Sequence, residues 1–138
     1  MDKALNLLAL ARKAGLAELG EEPVGAAARA LKAHLILVAG DASDHTWRRA
    51  KSFAAGTDQA CIRASYTKDE MGFAIGRQEL AIAAVTDAGM ALSIVEALGQ
   101  PDKYKDAIAV LSEKKRKAMQ RQKEAKAHRK NVRFGKKK

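Results

Sequence analysis

The stretch that decides the fold is HLILVAGDAS, at positions 34–43. Residues 34–39 form an uninterrupted apolar run that is too short for a helix, and such a run predicts a central β-strand buried on both faces. Gly40, Asp41 and Ala42 then turn the chain, and Ser43 or Asp44 offers a side-chain oxygen that can cap a following helix. A buried strand that leads directly into a helix is typical of a layered α/β domain.

The same alternation of helices and strands continues in both directions from this strand. Before it, hydrophobic periodicity predicts a helix over about 2–14, a short extended piece over 16–19 and a helix over about 21–31. After it, we expect helices over about 44–55, 67–76 and 88–98 and strands over 60–64 and 81–85. Thr67 and Glu70 have the spacing of a capping box, which marks the start of one of these helices. The sequence therefore predicts an α/β fold with helices on both faces of a small sheet.

Charge divides the chain into two parts. Residues 1–98 contain 11 Lys and Arg against 12 Asp and Glu, whereas residues 99–138 contain 15 against 4, so the net charges are −1 and +11. Clustered Lys and Arg gain affinity for nucleic acid by displacing counterions from phosphates. We therefore expect RNA or DNA as the partner, in preference to a tail that serves only solubility or to an anionic membrane surface, since no broad apolar face accompanies the charge.

The basic part is predicted to be an extension rather than a second domain. Tyr104, Ala107, Ile108 and Leu111 lie at helical spacing and predict a helix that docks on the body. Beyond Ser112 the apolar stripe nearly vanishes, so residues 113–129 are expected to be frayed or disordered until a partner orders them. The predicted division is a domain over 1–99 and a basic, helical or disordered extension over 100–138.

Several functional classes lack their sequence signatures. The chain has no phosphate-binding glycine loop of the G-x-x-x-x-G-K-[ST] or G-x-G-x-x-G type, and its His and Cys residues are not at metal-ligand spacing. Asp41, at the end of the central strand, is the one candidate phosphoacceptor, although a turn former or a polar ligand contact is the more ordinary interpretation. Cys61 is expected to be a buried strand thiol. No apolar run approaches a membrane span and no secretory pattern opens the chain, so we expect a cytoplasmic protein. Because the motifs of these functional classes are missing, we also expect no cofactor, no metal and no enzymatic activity.

Four segments, taken in order, resemble one family. They are LLALARKAG at 7–15, GEEPV at 20–24, KAHLILVAGDAS at 32–43 and MGFAIGR at 71–77, and the match spans about residues 4–98. These segments resemble the bacterial YlxQ-like proteins, which belong to the ribosomal-protein superfamily that binds kink-turn RNA (the L-seven-Ae and L-thirty-e type). The resemblance implies a three-layer α/β/α sandwich with a four-stranded mixed sheet. It also implies RNA binding along one edge of that sheet, in bacteria and with ribosomal RNA among the candidate partners.

The resemblance also implies which residues contact RNA. Strict kink-turn binders carry Asn-Glu and then Lys in the loop into the second helix, where this chain has Glu22, Pro23 and Ala26. The expected body contacts are Gly20, Glu21, Glu22, Pro23, Val24, Arg29, Lys32, Asp41, Arg77 and Gln78. The charge of the extension adds Lys114, Lys115, Arg116, Lys117, Arg121, Lys123, Arg129, Lys130 and Arg133.

Two kinds of function remain open at this point. The first is a monomeric, non-enzymatic RNA-binding protein that associates with structured RNA, including that of ribosomes. The second is a protein-interaction module whose tail contacts nucleic acid without selectivity, with a phosphoacceptor domain at Asp41 as a weaker alternative.

Overall fold

The structure, a computed structural model, describes residues 2–135, with side chains for residues 2–127. Helices and strands alternate through the body, as the hydrophobic pattern predicts, and a long helix follows. In chain order the elements are α1 (Lys3–Lys13), β1 (Ala17–Leu19), α2 (Glu21–Arg29), β2 (Leu35–Val38), α3 (Asp44–Ala54), β3 (Ala60–Arg63), α4 (Lys68–Ala74), β4 (Ile82–Val85), α5 (Ala88–Ala97) and α6 (Lys105–Gly135).

The four strands form one mixed sheet in the order β1-β4-β2-β3. Strand β4 is antiparallel to both of its neighbours, whereas β2 and β3 are parallel. Strands β1, β2 and β3 therefore end at the side of the sheet where β4 begins, which we call the loop edge. The opposite side, where β2 and β3 begin and β4 ends, is the far end.

Helices cover both faces of this sheet. Helices α2 and α3 pack together on one face, while α1, α5 and the first half of α6 pack on the other. All residues of β2 and β4 are buried, because these central strands have helices above and below them. The predicted three-layer α/β/α sandwich with a four-stranded mixed sheet is confirmed.

Local capping signals set the starts of four helices. The carboxylates of Asp2 and Asp87 accept the backbone N–H of Ala4 and Met90, each at 2.8 Å. The Ser43 hydroxyl accepts from Thr46 at 3.1 Å, so Ser43 and not Asp44 is the cap of α3. The predicted capping box at the start of α4 is complete. Each cap satisfies backbone donors that a helix leaves free in its first turn.

Helix α6 begins as part of the body and continues well beyond it. The side chains of Tyr104 and Leu111 are buried, and the Tyr104 hydroxyl donates to the Arg63 carbonyl at 3.2 Å. The prediction that a helix containing Tyr104 and Leu111 docks on the body is therefore confirmed. The expectation of a frayed or disordered segment from residue 113 onward is wrong, because the helix continues to Gly135, a length of about 46 Å. The docked turns supply a nucleus, and the Ala, Gln, Glu, Lys and Arg that follow propagate a helix readily.

Candidate nucleic-acid interface

Four loops meet at the loop edge of the sheet. The Gly20 N–H donates to the Ile82 carbonyl at 3.0 Å, which joins the loop before α2 to the start of β4. The Gly40 N–H donates to the Tyr66 carbonyl at 2.7 Å, which joins the turns after β2 and β3. The loop from α4 to β4 enters the sheet at the same edge. The structure thus brings together most of the predicted body contacts, although they are far apart in sequence.

The first turn of α2 departs from the prediction at one position. Glu22 and Pro23 are exposed, but Val24 is fully buried, so its predicted contact with RNA is wrong. Val24 lies on the helix face that packs on the sheet, and burying its apolar side chain there stabilises the fold. Glu21 is half-buried, and its Oε1 forms a 2.8 Å ion pair with the Nε of Arg49 on α3.

Asp41 has a structural partner. Its Oδ1 accepts the backbone N–H of Lys68, the first residue of α4, at 2.8 Å. This hydrogen bond joins the turn after β2 to the start of α4. Asp41 is exposed and lies at the loop edge, so the turn-former interpretation accounts for it without phosphoryl chemistry.

Arg77 and Gln78 are exposed on the loop between α4 and β4. The Arg77 N–H donates to the Gly72 carbonyl at 2.8 Å, and the backbone of Glu79 lies so close to Gly72 that no side chain fits there. The absence of a side chain at Gly72 thus lets the loop pack closely on α4, and this close packing determines where Arg77 lies.

Beside this loop runs a groove of about 720 Å³ between α1 and α4. It contains Phe73, whose side chain is 75 % exposed, and the carboxylates of Asp2, Asp69 and Glu70. The Tyr66 hydroxyl donates to Asp2 at 2.5 Å. This hydrogen bond lowers the pKa of Asp2, while burial and the same bond raise the pKa of Tyr66. The groove therefore combines an exposed aromatic side chain with three carboxylates, and Arg77 lines it as well.

Arg29 and Lys32 do not belong to the loop edge. Helix α2 starts at that edge and runs to the far end, so Arg29 in its last turn and Lys32 just after it lie about 12 Å or more along the helix axis from Glu21. The structure therefore divides the predicted body contacts between two opposite sides of the sheet.

The cations of α6 lie toward the far end as well. Tyr104 contacts the end of β3, whereas the Nζ of Lys114 lies 3.3 Å from Asp58, just before β3, and 3.3 Å from the Nδ1 of His34. Helix α6 thus runs away from the loop edge and projects beyond the far end. Arg116 is paired with Glu113 through two hydrogen bonds of 2.6 and 3.1 Å.

The remaining predicted tail cations fall into two groups. The side chains of Lys115, Lys117, Arg121 and Lys123 are exposed, and Lys126, which the sequence analysis did not single out, is exposed too. The predicted contacts Arg129, Lys130 and Arg133 have side chains outside the described residues. Every described side chain after Ala118 is exposed, so this part of α6 presents its charges to solvent on all sides.

Two further groups at or near the sheet carry shifted pKa values. Burial, and next the charge of Lys114, lowers the pKa of His34 below its ordinary value of 6.5, so the ring is neutral near pH 7 and its Nδ1 can accept from Lys114. Cys61 lies in β3 as predicted but is half-buried rather than fully buried, and its partial burial raises its pKa to about 11, which keeps it a thiol. Within the described residues, no group of His, Cys, Asp or Glu could hold a metal ion, and no helix is long and apolar enough to cross a membrane.

The chain was compared with known families, curated proteins and solved structures. No family model matches it, and no curated protein matches it. It is similar to the structure of a protein with unknown function from Bacillus halodurans C, with a TM-score of 0.66 and 26 % identity over 72 % of this chain and 99 % of that one. It is also similar to the Giardia lamblia 15.5kD RNA binding protein, with a TM-score of 0.59 and 16 % identity over 72 % of this chain and 84 % of that one. The body therefore has a fold that occurs in an RNA-binding protein.

Proposed function

We propose that this chain is a non-enzymatic RNA-binding protein of the kink-turn superfamily and that it is similar to the YlxQ-like bacterial members. Its partner is structured RNA, including ribosomal RNA, and it acts in the bacterial cytoplasm as a monomer. The fold shared with a Giardia RNA binding protein and the four segments that resemble YlxQ-like proteins support this proposal.

The observation that carries the proposal is the long cationic helix joined to a nearly neutral body. Successive residues of a helix are rotated by about 100°, so Lys115, Lys117, Arg121, Lys123 and Lys126 are distributed around α6 rather than along one stripe. Polyanions can approach such a helix from any side. Phosphate contacts of this kind supply affinity without base readout.

The loop edge contributes selectivity in this proposal rather than most of the affinity. Its cations, Arg77 and Lys68, are accompanied by the carboxylates of Glu22 and Asp41. Carboxylates disfavour phosphate but can accept hydrogen bonds from exposed base edges, which are available where an RNA helix bends.

A salt titration tests whether α6 supplies most of the RNA affinity and the loop edge supplies selectivity. RNA affinity of the full chain is measured against that of a chain ending at Arg121, with a kink-turn RNA and a straight duplex of equal length. The truncation removes eight Lys and Arg. If half of them contact phosphates, the slope of log affinity against log salt should fall by about 3. A variant with Lys123 and Lys126 replaced by Arg should keep the full slope, whereas an unchanged slope after truncation would contradict the assignment.

One observation favours a second function, a protein-interaction module with a non-selective basic tail. The groove containing Phe73 combines this exposed apolar side chain with three carboxylates against the one lining cation Arg77, which suits a basic, partly apolar peptide rather than RNA. Competition separates the two functions. Selective RNA binding requires that kink-turn RNA displace a bound kink-turn probe at lower concentration than duplex DNA does, and equal competition favours the second function.

A further inference from the structure

The connection between α2 and β2 contains a strained residue. Leu31 has φ +59°, the only positive φ at a non-glycine position among the described residues. Its N–H donates to the Ala28 carbonyl at 3.0 Å, and the N–H of Lys32 donates to the Ala27 carbonyl at 2.9 Å. This is the helix ending that glycine normally occupies, because an L side chain is unfavourable at positive φ.

Core packing does not compensate for this strain. The Leu31 side chain is 62 % exposed, so most of its apolar surface remains in water. A large exposed apolar residue held in an unfavourable backbone conformation is unusual, and residues of this kind concentrate at functional sites. The strain therefore makes Leu31 a candidate functional residue.

Leu31 borders a groove of about 410 Å³ at the far end, formed between the body and α6, which we call the α6 groove. Lys114, Lys117 and Arg121 line it from α6, and His34 lines it from the body. Its carboxylates already have internal partners. Asp58 pairs with Lys114 at 3.3 Å, and Asp87 accepts the N–H of Met90 as the cap of α5.

Lys117 and Arg121 are the uncompensated charges of this groove. They are four residues apart and so lie on one side of α6, and neither forms an ion pair with any residue in the described part of the chain. The groove combines two exposed cations with an exposed apolar side chain.

We propose that the α6 groove is a second RNA site, separate from the loop edge, and that it binds an unpaired strand. Lys117 and Arg121 contact phosphates, and Leu31 packs on a ribose or an unstacked base. A duplex would present mainly phosphates to this groove and would leave Leu31 without a partner, which is the reason for expecting a single strand. This inference rests on the proposed function, since it names which RNA element the far end takes.

The decisive variant is Leu31→Gly. It removes the side chain and also relieves the positive φ, so stability and binding should change in opposite directions. We expect the melting temperature to rise by about 2–5 °C, because glycine is the favoured residue here. The dissociation constant for a fluorescein-labelled U12 RNA should increase by about 3- to 10-fold. A residue with only a structural role would not strengthen the fold while weakening binding.

Two further variants complete the experiment. The double variant Lys117→Gln/Arg121→Gln should weaken U12 binding by at least 10-fold. The matched control is Leu10→Ala, which shortens another exposed leucine, 53 % exposed on α1, and should leave U12 affinity unchanged. If Leu31→Gly binds U12 as the wild type does, the α6 groove is not a strand-binding site, whatever the lysine and arginine variants do. If the wild type binds neither U12 nor kink-turn RNA, the proposed function itself fails.

Discussion

Replacing Gly72 by Ala should destabilise the protein through a clash that no side-chain rotation can relieve. A Cβ at this position would lie 2.5 Å from the Cα, 2.6 Å from the N and 2.8 Å from the carbonyl carbon of Glu79. Favourable contacts between such atoms occur at about 3.5–4.0 Å, so the backbones would have to separate by about 1 Å. All three neighbours are backbone atoms, and two hydrogen bonds hold this loop, from Arg77 N to Gly72 O at 2.8 Å and from Leu80 N to Lys68 O at 2.9 Å.

The magnitude follows from two opposing contributions. Overpacking a well-packed region costs about 1–3 kcal/mol, and a backbone clash belongs at the upper end of that range. Alanine regains about 1 kcal/mol of helix propensity over glycine, since Gly72 lies within α4. The expected net loss in the free energy of unfolding is therefore about 2 kcal/mol.

Urea denaturation followed by circular dichroism measures this loss, and Gly76→Ala is the matched control. Gly76 lies four residues later with φ +77° and no atom within 4 Å of its added Cβ, so its cost should be only the strain of positive φ, about 1 kcal/mol. The reasoning is refuted if Gly72→Ala costs less than Gly76→Ala. Because Arg77 is held by the Gly72 carbonyl, Gly72→Ala should also displace the loop that carries Arg77 and Gln78.

Three further predictions concern the core, the α2–β2 connection and pH. Leu111→Ala should cost about 2–5 kcal/mol in urea denaturation, since Leu111 is fully buried and the first turns of α6 belong to the core; a surface-like loss below 0.5 kcal/mol would contradict this. Gln59→Ala should cost about 1–3 kcal/mol in thermal unfolding, because the buried amide accepts from Ala33 N at 3.0 Å and that N–H would lose its partner, whereas Ala28 O, which the amide reaches at 3.2 Å, keeps the N–H of Leu31; a loss below about 0.5 kcal/mol would contradict this. The pKa of His34 is lowered in the folded chain, so the unfolded chain takes up a proton near pH 6.5 while the folded chain does not. The contribution of His34 to the free energy of unfolding is therefore present above pH 6.5 and declines as the pH falls below it. His34→Gln should lose less stability than the wild type between pH 7 and pH 5, and equal losses would show that His34 does not contribute.

Hydrophobic periodicity predicts nearly every element of the body because each has a strong local signal. The apolar run at 34–39 becomes β2, buried along its whole length, and the Thr67–Glu70 capping box starts α4. Signals of this kind are local: they depend on residues two to four apart that share a face or a helix turn. The prediction of a frayed or disordered segment beyond residue 113 is wrong, because an exposed segment shows no apolar periodicity even when its residues favour a helix.

The candidate site was predictable in its parts but not in its arrangement. The resemblance to YlxQ-like proteins indicated the loop edge, and the charge of residues 99–138 indicated the extension. Periodicity around Pro23 did not reveal that Val24 faces the core. The positive φ of Leu31 and its place beside Lys117 and Arg121 had no signal in the sequence, since a leucine after a helix ordinarily predicts nothing of the kind.

The sequence by itself determined that this protein is a neutral α/β body with a cationic extension, since charge and periodicity are properties of neighbouring residues. Only the tertiary structure decided that the loop edge and the cations of α6 lie on opposite sides of the sheet. The direction in which α6 crosses the sheet depends on contacts between residues such as Tyr104 and Arg63, or Lys114 and Asp58, that are about 40 to 60 positions apart. Such pairings arise from packing of the whole chain, so no local pattern contains them.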